Sequence, residues 1–314
     1  MADLTLLVLA DVHFRQAGQP LSSGGIPDTD LGAELVERAI LDARRRGGFD
    51  ALVLLGDLLD AGGAPGADRD LALLEDVIYR AAGDVPRIVV PGNHDGDAAL
   101  VLSILADQGG LHEVKGYRLY SFVDAWDDRD VGTRPPEAME RFAGQSRAGA
   151  ERPLVVLQHN ALHPPIEDDY PYMLQGREAI MRAYAQARVV LSLSGHYHAG
   201  QPLQEAGGVR YYTCPAICRA PYRYALVRLK GRQVGVSEHQ LRLPEELRLL
   251  DVHTHTQYAY CGEDVSAPEV VRRARLFGLA GVGITEHADQ LYLTRQEHDS
   301  CYVYRDNDYW RVPR

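Results

Sequence analysis

Short apolar runs alternate with helical patterns through the first hundred positions of the chain. The runs LTLLVLA (4–10), ALVLL (51–55) and RIVV (87–90) are typical of strands buried on both faces. Apolar residues at helical spacing predict helices at 31–46, at 69–83 and near 97–108. This β-α-β-α-β order predicts an α/β layer with a parallel core.

The pattern changes after residue 110, where strand-like runs follow one another with mostly short connections. They lie at 117–123, 153–158, 188–194, 209–214, 222–229 and 233–241. We expect them to form a second, mixed sheet packed on the first. The polar segment 124–152 carries one short helical pattern and is interpreted as a surface excursion. A boundary is expected near 242–246, which gives a first domain at 1–244 and a short β-α-β appendage at 245–314.

Composition limits the class of protein. The 314 residues are 46% apolar and 25% charged, which is typical of a soluble globular chain. A net charge of −11 gives no long-range attraction for polyanions, so a nucleic-acid partner is not expected. The first apolar run stops at Asp11 and no run is long enough to span a bilayer. We therefore expect a cytoplasmic protein without a membrane partner, and the oligomeric state stays open.

Four cysteines, Cys214, Cys218, Cys261 and Cys301, are too few for a disulfide scaffold. Two plain thiols in a loop before a strand are the favoured interpretation of Cys214 and Cys218. A metal-binding or redox-active pair is the alternative.

Five of the predicted strands end in residue types that bind metal ions. These residues are Asp11 and His13; Asp57 and Asp60; Asn93, His94 and Asp95; His159; and His196 and His198. Ligands bind at the carboxyl ends of strands in open α/β sheets, so these tips should meet in one pocket. A lone D-x-H or H-x-H is more often a surface or core feature, and GNHD alone is equally consistent with either interpretation, but the ordered set of five predicts a metal site.

The residue types indicate which metals could bind. Imidazole and carboxylate suit Zn, Mn and Fe, and an Asn amide oxygen adds a neutral ligand. In D-x-H and H-x-H, alternate side chains project to the same side of an extended backbone. Two ions about 3.5–4 Å apart can share a carboxylate and a water molecule and clamp both oxygens of a phosphoryl transfer. Glycine precedes Asp57, Asn93 and His196, which permits sharp turns there.

Over residues 4–240 this ordered set resembles the calcineurin-like metallophosphoesterases. The resemblance implies a four-layer αββα sandwich of two mixed sheets and a dinuclear centre of Mn, Fe or Zn. By the same resemblance, Asp11, His13 and His198 would hold one ion, Asn93, His159 and His196 the other, and Asp57 would bridge them. His94 would lie near the leaving-group oxygen with Asp95 as its orienting partner. Asp60 would contact the ligand residues without binding an ion itself.

Two features bear on the branch of that family. Purple acid phosphatases carry a tyrosine ligand three residues after the bridging aspartate. That position here is Asp60, so tyrosine ligation is not expected. The loop QHNALHPPIEDDYPYM (158–173) resembles that of the class III cyclic-nucleotide and glycerophosphodiester phosphodiesterases. It departs from that pattern because Asn160 follows the ligand histidine and His163 comes three residues later. We interpret His163 as a loop residue and not as a substrate contact.

The resemblance implies a phosphoesterase acting on a small-molecule phosphodiester or phosphomonoester. A hydroxide bridging the two ions would attack phosphorus, His94 would protonate the leaving alkoxide, and His196 and the ions would stabilise developing charge. A nuclease of the same fold is one alternative, although it would need a basic groove. A non-catalytic metal-binding or scaffold protein with a relic site is the other, and the intact ligand set argues against it.

A second constellation lies near the carboxyl terminus. LDVHTHTQYAYCGED (250–264) and GVGITEHADQ (281–290) flank a helical pattern and resemble the opening of a PHP domain, of the polymerase and histidinol phosphatase family. His253, His255 and His287 match its first ligand motifs, and Cys261 stands near where some members carry histidine. The remaining ligands of that family are missing, so we expect a truncated or degenerate unit, or part of a longer protein, without its own active site. His112, His239 and His298 are interpreted as surface or structural residues.

Overall fold

The computed structural model describes residues 2–16, 28–241, 250–256, 259, 265–277, 279 and 281–286, and the backbone alone at 302–305 and 308–311. The chain divides into two compact units, Met1–Leu241 and Arg242–Arg314. The two units are described separately below.

The first unit begins with the predicted alternation of strands and helices. Its elements are β1 (Leu4–Leu9), a 3₁₀ turn (Thr29–Leu31), α1 (Gly32–Arg45), β2 (Ala51–Leu54), α2 (Ala67–Ala82), β3 (Arg87–Val89) and α3 (Ala98–Ile104). β1 pairs parallel with β2, and β2 pairs parallel with β3. Every residue of β2 is buried, because this strand is covered on both faces.

The later elements build the rest of the first unit. They are β4 (Gly110–Val114), β5 (Tyr117–Ser121), β6 (Ala125–Trp126), β7 (Gly132–Thr133), α4 (Pro136–Arg147), β8 (Leu154–Leu157), α5 (Arg177–Gln186), β9 (Val189–Ser194), β10 (Gln201–Ala206), β11 (Val209–Thr213), β12 (Arg223–Lys230) and β13 (Gln233–Gln240). One sheet has the order β13-β12-β1-β2-β3 and the other β10-β11-β9-β8-β5-β4. Both contain parallel and antiparallel pairs, as predicted.

The assignment of the last two strands to the second sheet is wrong. β12 pairs antiparallel with β1, with Leu4 opposite Leu229, and β13 continues the first sheet beyond it. β1 therefore lies in the middle of its sheet. The sequence pattern could not show this. The same apolar alternation allows the last hairpin of the first unit to join either of its two sheets.

The core lies between the two sheets. One cluster combines Leu6 and Val8 of the first sheet with Val155, Leu157 and Leu191 of the second, all at most 1% exposed. Behind the second sheet, Phe142 of α4 and Tyr184 of α5 pack on its outer face. α1 covers the outer face of the first sheet, where Asp42 accepts a hydrogen bond from the Tyr224 hydroxyl of β12. The expected αββα order of layers is confirmed.

The segment 124–152 is more than the predicted surface excursion. Arg134 forms a bidentate ion pair with Asp124, with nitrogen–oxygen distances of 2.7 and 2.8 Å, and both side chains are 1% exposed. The guanidinium also lies 3.6 Å from the Phe122 ring centroid and donates a hydrogen bond to the Tyr184 hydroxyl. A buried charge persists only when it is paired and hydrogen-bonded, so this pair anchors the segment to the second sheet.

The second unit contains the predicted β-α-β order. β14 (Leu250–Thr254) pairs parallel with β15 (Gly281–Ile284), and α6 (Ala267–Leu276) connects them. Ser266 caps α6, with its hydroxyl accepting from the Glu269 amide at 3.3 Å. β16 (Tyr302–Arg305) and β17 (Asp308–Arg311) form an antiparallel pair. Across the described ranges of both units, no helix is long and apolar enough to cross a membrane.

Candidate metal centre

The turns that follow the central strands hold side chains in strained backbone conformations. Asp11, His13, Asp57 and His196 have φ angles of 54°, 46°, 49° and 66°, in the left-handed region that non-glycine residues rarely adopt. Such residues cost on the order of 1–3 kcal/mol each and cluster at functional sites. All four are at most 3% exposed. The fold therefore accepts local strain to bring these particular side chains together.

Two glycines allow the strand tips to approach each other closely. A Cβ atom at Gly56, whose φ is 88°, would lie 2.4 Å from Nδ1 of His159. A Cβ atom at Gly92 would lie 2.3 Å from Oδ1 of Asp57. Any side chain at either position would overlap a predicted ligand. Only glycine therefore fits at these two positions.

The predicted ligands meet in two groups that share Asp57. In the first group, Nε2 of His13 lies 3.3 Å from Nε2 of His198 and 3.5 Å from Oδ2 of Asp57. Oδ1 of Asp11 lies 3.8 Å from Nε2 of His198. The atoms of Asp11, His13 and Asp57 all lie within 4.8 Å of one another.

The second group lies on the other side of the same carboxylate oxygen. Nε2 of His159 lies 3.2 Å from Oδ2 of Asp57 and 3.2 Å from Oδ1 of Asn93. Ligand atoms of Asp57, His159 and His196 also lie within 4.8 Å of one another. Oδ2 of Asp57 is thus the atom common to both groups, which is the arrangement that a bridging ligand requires.

The electrostatics of the cluster fit metal cations. Burial holds the pKa of His13 and of His196 well below the usual value and lowers that of His198 to about 4, so these imidazoles keep a lone pair for coordination. Burial also raises the pKa of Asp11 to about 8. Nε2 of His196 is buried without a hydrogen-bond partner, which is costly unless something else binds it. A cation at each group would satisfy these atoms.

Surrounding groups orient the ligand atoms. Nδ1 of His159 donates to the Leu55 carbonyl at 2.7 Å, which turns Nε2 toward Asp57 and Asn93. Oδ1 of Asp57 accepts from the His94 amide at 2.9 Å, which leaves Oδ2 for the two groups. Both oxygens of Asp11 accept from the His196 amide, at 3.0 and 3.1 Å. The strand tips therefore hold one another in position.

His94 lies beside these groups. Its ring packs edge-on against the His13 ring at 4.7 Å, and its Nδ1 donates to the Asp60 carbonyl at 2.8 Å. Burial disfavours the charged ring, but the Asp57 carboxylate and the bond to Asp60 favour it more and raise the pKa of His94 above its usual value. This environment suits a proton donor.

The predicted role of Asp95 as the orienting partner of His94 is wrong. Oδ1 of Asp95 accepts from the amides of Leu58 and Leu59 at 2.7 and 2.9 Å, and Oδ2 accepts from the Gly92 amide at 2.7 Å. Asp95 ties the turn after β2 to the turn after β3, and Asp60 orients His94 through its backbone carbonyl. The sequence placed a carboxylate beside the histidine but could not show which way it faces.

Sequence reasoning missed a group of loop residues that positions the Asn93 amide. Nδ2 of Asn93 lies 3.2 Å from Oδ1 of Asp130, and the Tyr170 hydroxyl donates to Oδ2 of Asp130 at 3.0 Å. Trp126 donates to Oδ1 of Asn160 at 2.8 Å. Because Nδ2 faces Asp130, Oδ1 of Asn93 faces His159. Asp130 and Trp126 stand in the polar segment 124–152, where no motif marks them.

Aromatic side chains surround His196. The ring centroids of Tyr170 and Tyr172 lie 5.5 and 5.4 Å from that of His196 and 4.8 Å from each other. Tyr197 packs against Tyr172 at 5.0 Å. All three tyrosines are partly exposed, and we call them the tyrosine wall. His163 packs against the Tyr211 ring at 5.4 Å, in agreement with its interpretation as a loop residue.

The histidines of the second unit have a different setting. Nε2 of His253 lies 3.1 Å from Nε2 of His255, and β14 is exposed over most of its length. Oε1 of Glu286 accepts from the amide and hydroxyl of Thr256 at 3.0 and 2.5 Å. Within the described ranges, groups of three or more potential ligands occur only in the first unit. His287, Cys261 and His298 lie outside the described residues.

The two other histidines have structural settings. Nε2 of His112 lies 3.4 Å from Oδ1 of Asp107, and His239 packs against the Tyr224 ring at 5.3 Å. Neither lies in a group of potential ligands. This agrees with their interpretation as structural residues.

Two mixed sheets between helical layers, with histidines and carboxylates converging at the strand ends, define a phosphoesterase fold with a two-metal site. The family model of the calcineurin-like phosphoesterases matches residues 4–200, and the chain belongs to this family. No curated protein matches the chain.

Two solved structures are similar to the chain at low sequence identity. A dimetal phosphatase from Danio rerio is 14% identical with a TM-score of 0.58, and the match covers 76% of this chain and 99% of that one. A structure described as a novel archaeal phosphodiesterase is 11% identical with a TM-score of 0.37, and the match covers 76% of this chain and all of that one. The first of these supports the fold alone.

Proposed function

We propose that the first unit hydrolyses a small-molecule phosphodiester or phosphomonoester at the two ligand groups. One observation carries this proposal: Oδ2 of Asp57 lies 3.5 Å from His13 and 3.2 Å from His159, between two sets of buried nitrogen and oxygen ligands. Asp11, His13 and His198 would hold one ion, and Asn93, His159 and His196 the other. Mn, Fe and Zn all suit these ligands.

Two bound ions supply the Lewis acidity that activates water and neutralises phosphoryl charge. The residues of the chain do the rest. Asp57 fixes the spacing of the two groups, because one carboxylate faces both. The backbone bonds from His196 to Asp11 and from His94 to Asp57 prevent the ligand-bearing turns from separating. This preorganisation means that little rearrangement is needed during the reaction.

His94 is proposed as the general acid. The Asp60 carbonyl holds its Nδ1 at 2.8 Å, so Nε2 is the ring nitrogen left to deliver a proton to the leaving oxygen. Burial disfavours the protonated ring, but the Asp57 carboxylate and the Asp60 carbonyl outweigh it and raise the pKa of His94 above its usual value, which favours a proton donor. Proton transfer of this kind contributes about 10²- to 10⁴-fold in rate.

The tyrosine wall is proposed to hold the organic part of the substrate. Tyr170 and Tyr172 are partly exposed and lie against His196, so a flat or apolar group beside the phosphorus can pack on their rings. Both come from the loop 158–173 that resembles the class III phosphodiesterases. We therefore propose an organic phosphodiester of that kind as the preferred substrate class.

Metal analysis combined with turnover tests the proposed function. Protein loaded with Mn²⁺, Fe²⁺ or Zn²⁺ should hold about two ions in the first unit and hydrolyse an aryl phosphodiester, and chelation should abolish turnover. A folded protein that binds no metal would refute the proposal. Metal binding without turnover of monoesters, diesters or nucleic acids would favour the scaffold alternative.

A further inference from the structure

A cysteine thiol lies among the ligands of the first group. Sγ of Cys218, a nitrogen of His13 and a nitrogen of His198 all lie within 4.8 Å of one another. Cys218 is fully buried. Its sequence position favours a plain thiol in a loop and leaves a metal-binding or redox-active pair with Cys214 as the alternative. The neighbouring His13 is 1% exposed, and its Nδ1 is buried without a hydrogen-bond partner. A buried imidazole with an unsatisfied nitrogen therefore lies beside the thiol.

The backbone fixes Cys218 at this position. The Cys218 amide donates to the Asp11 carbonyl at 3.2 Å, and the Ile217 amide donates to the Ala10 carbonyl at 3.0 Å. The Ala216 amide donates to the His198 carbonyl at 3.1 Å. Three successive amides therefore tie this loop to the two strand tips that carry Asp11, His13 and His198 of the first group.

The other cysteine of the same loop has a different environment. Sγ of Cys214 lies 3.6 Å from the Val8 carbonyl oxygen, and Cys214 belongs to the core between the two sheets. Cys214 and Cys218 are both buried and both free. The two thiols are thus matched in burial, and only Cys218 belongs to a ligand group.

We infer that Cys218 is a further ligand of the first metal ion, in addition to Asp11, His13, His198 and Asp57. The inference rests on the proposed two-metal function. In the binding step the S–H bond breaks, a sulfur–metal bond forms and the proton passes to solvent. Without an ion, burial and the Asp11 carboxylate raise the pKa of this thiol, and direct coordination reverses that balance.

A thiolate changes which metal the first group selects. Carboxylate and imidazole ligands accept Mn, Fe and Zn, whereas a soft sulfur ligand favours Zn over Mn. Among the residues that the structure describes, no sulfur belongs to the second group, so the two ions would sit in chemically unequal environments. We therefore expect the first group to prefer zinc more strongly than the second does.

Cobalt substitution of the full-length protein tests this inference without reference to activity. A Co²⁺–thiolate bond gives a charge-transfer absorption in the near ultraviolet that nitrogen and oxygen ligands do not give. A triple variant, Cys214→Ser, Cys261→Ser and Cys301→Ser, keeps Cys218 as its single thiol. This variant should show the band when loaded with cobalt, and Cys218→Ser in the natural background should lack it.

The possible outcomes separate the inference from the proposed function. Cobalt bound by the triple variant without the band overturns the role of Cys218 and leaves the two-metal site standing. Failure of the natural protein to bind cobalt or any other metal overturns both. If Cys218→Ser does not fold, the triple variant still decides. Loss of zinc preference over manganese in Cys218→Ala, with Cys214→Ala unchanged, is the second expected result.

Discussion

The chain carries the same short motif twice, once in each unit, in opposite surroundings. Asp11 and His13 follow β1, which is paired along both edges, and they are 0% and 1% exposed. The second copy of the motif, Asp251 and His253, stands on β14, which pairs with β15 in a two-stranded sheet and is mostly exposed. In the first unit the motif meets carboxylates and imidazoles from four other strand ends. Within the described residues, alternating spacing alone therefore does not gather three potential ligands, whereas the convergence of several buried strand ends does.

Among the variants that test this contrast between the two units, substitution of Asp57 should have the largest effect on turnover and metal content. Asp57→Asn replaces the carboxylate that faces both groups with a neutral amide. We therefore expect turnover to fall about 10³-fold or more, with loss of bound metal. His13→Ala, which removes a ligand of one group, should cost less. Asp251→Asn makes the same change beside His253 and should alter neither turnover nor metal content. Equal, mild effects at Asp57 and His13 in metal analysis and steady-state kinetics would argue against a shared bridge.

The next effect should come from His94, which is proposed to act without binding metal. His94→Ala should lower turnover about 10²-fold while metal content stays near that of the natural protein. The loss should shrink for a nitrophenyl ester, whose leaving group needs no proton. Loss of metal in this variant would show that His94 belongs with the ligands.

A smaller effect is expected at the tyrosine wall. Tyr172→Ala removes a ring beside His196, and packing of an aromatic substrate on it is worth about 0.5–1.5 kcal/mol. KM for an aryl phosphodiester should therefore rise about three- to tenfold with little change in kcat. Tyr172→Phe keeps the ring and serves as the matched control. An unchanged KM for the alanine variant would place the organic group of the substrate elsewhere.

The smallest effect should come from the second unit. The double change His253→Ala and His255→Ala removes an exposed and a half-buried imidazole, and neither lies in a described group of three potential ligands. Turnover should stay within about twofold of the natural value, because the proposed chemistry uses the first unit alone. If this double variant loses activity that Asp57→Asn retains, the catalytic site is in the second unit.

The meeting of the strand tips could be predicted because parallel strands end at one edge of a sheet. Apolar runs located β1, β2, β3, β8 and β9, and the residues just after them are the ones that converge. The sequence also indicated which residue types would bind metal. The strained backbone of Asp11 and His196 has no signature in the sequence, since it is imposed by the packing of neighbouring turns.

What the sequence could not show depends on contacts between distant segments. Asp130, which lies 3.2 Å from Nδ2 of Asn93, stands in the loop between Asp124 and Arg134, whose buried ion pair joins the two ends of that loop. Asp95 faces backbone amides and not the His94 ring, a choice made by the geometry of two turns. Cys218 and Cys214 are four residues apart in the same loop. The three backbone hydrogen bonds that hold Cys218 beside the ligands join it to segments distant in the sequence.

The pairing of β1 with β12 also bears on when the centre can form as the chain is synthesised. Leu4 leaves the ribosome long before its partner Leu229, which lies near the end of the first unit. Closing so long a loop is entropically costly and slow, and strand pairs of this kind are typical of late folding steps. We expect the nascent chain to hold Asp11 and His13 without their surroundings until β12 has emerged. Metal loading would then follow completion of the first unit and could not guide its early folding.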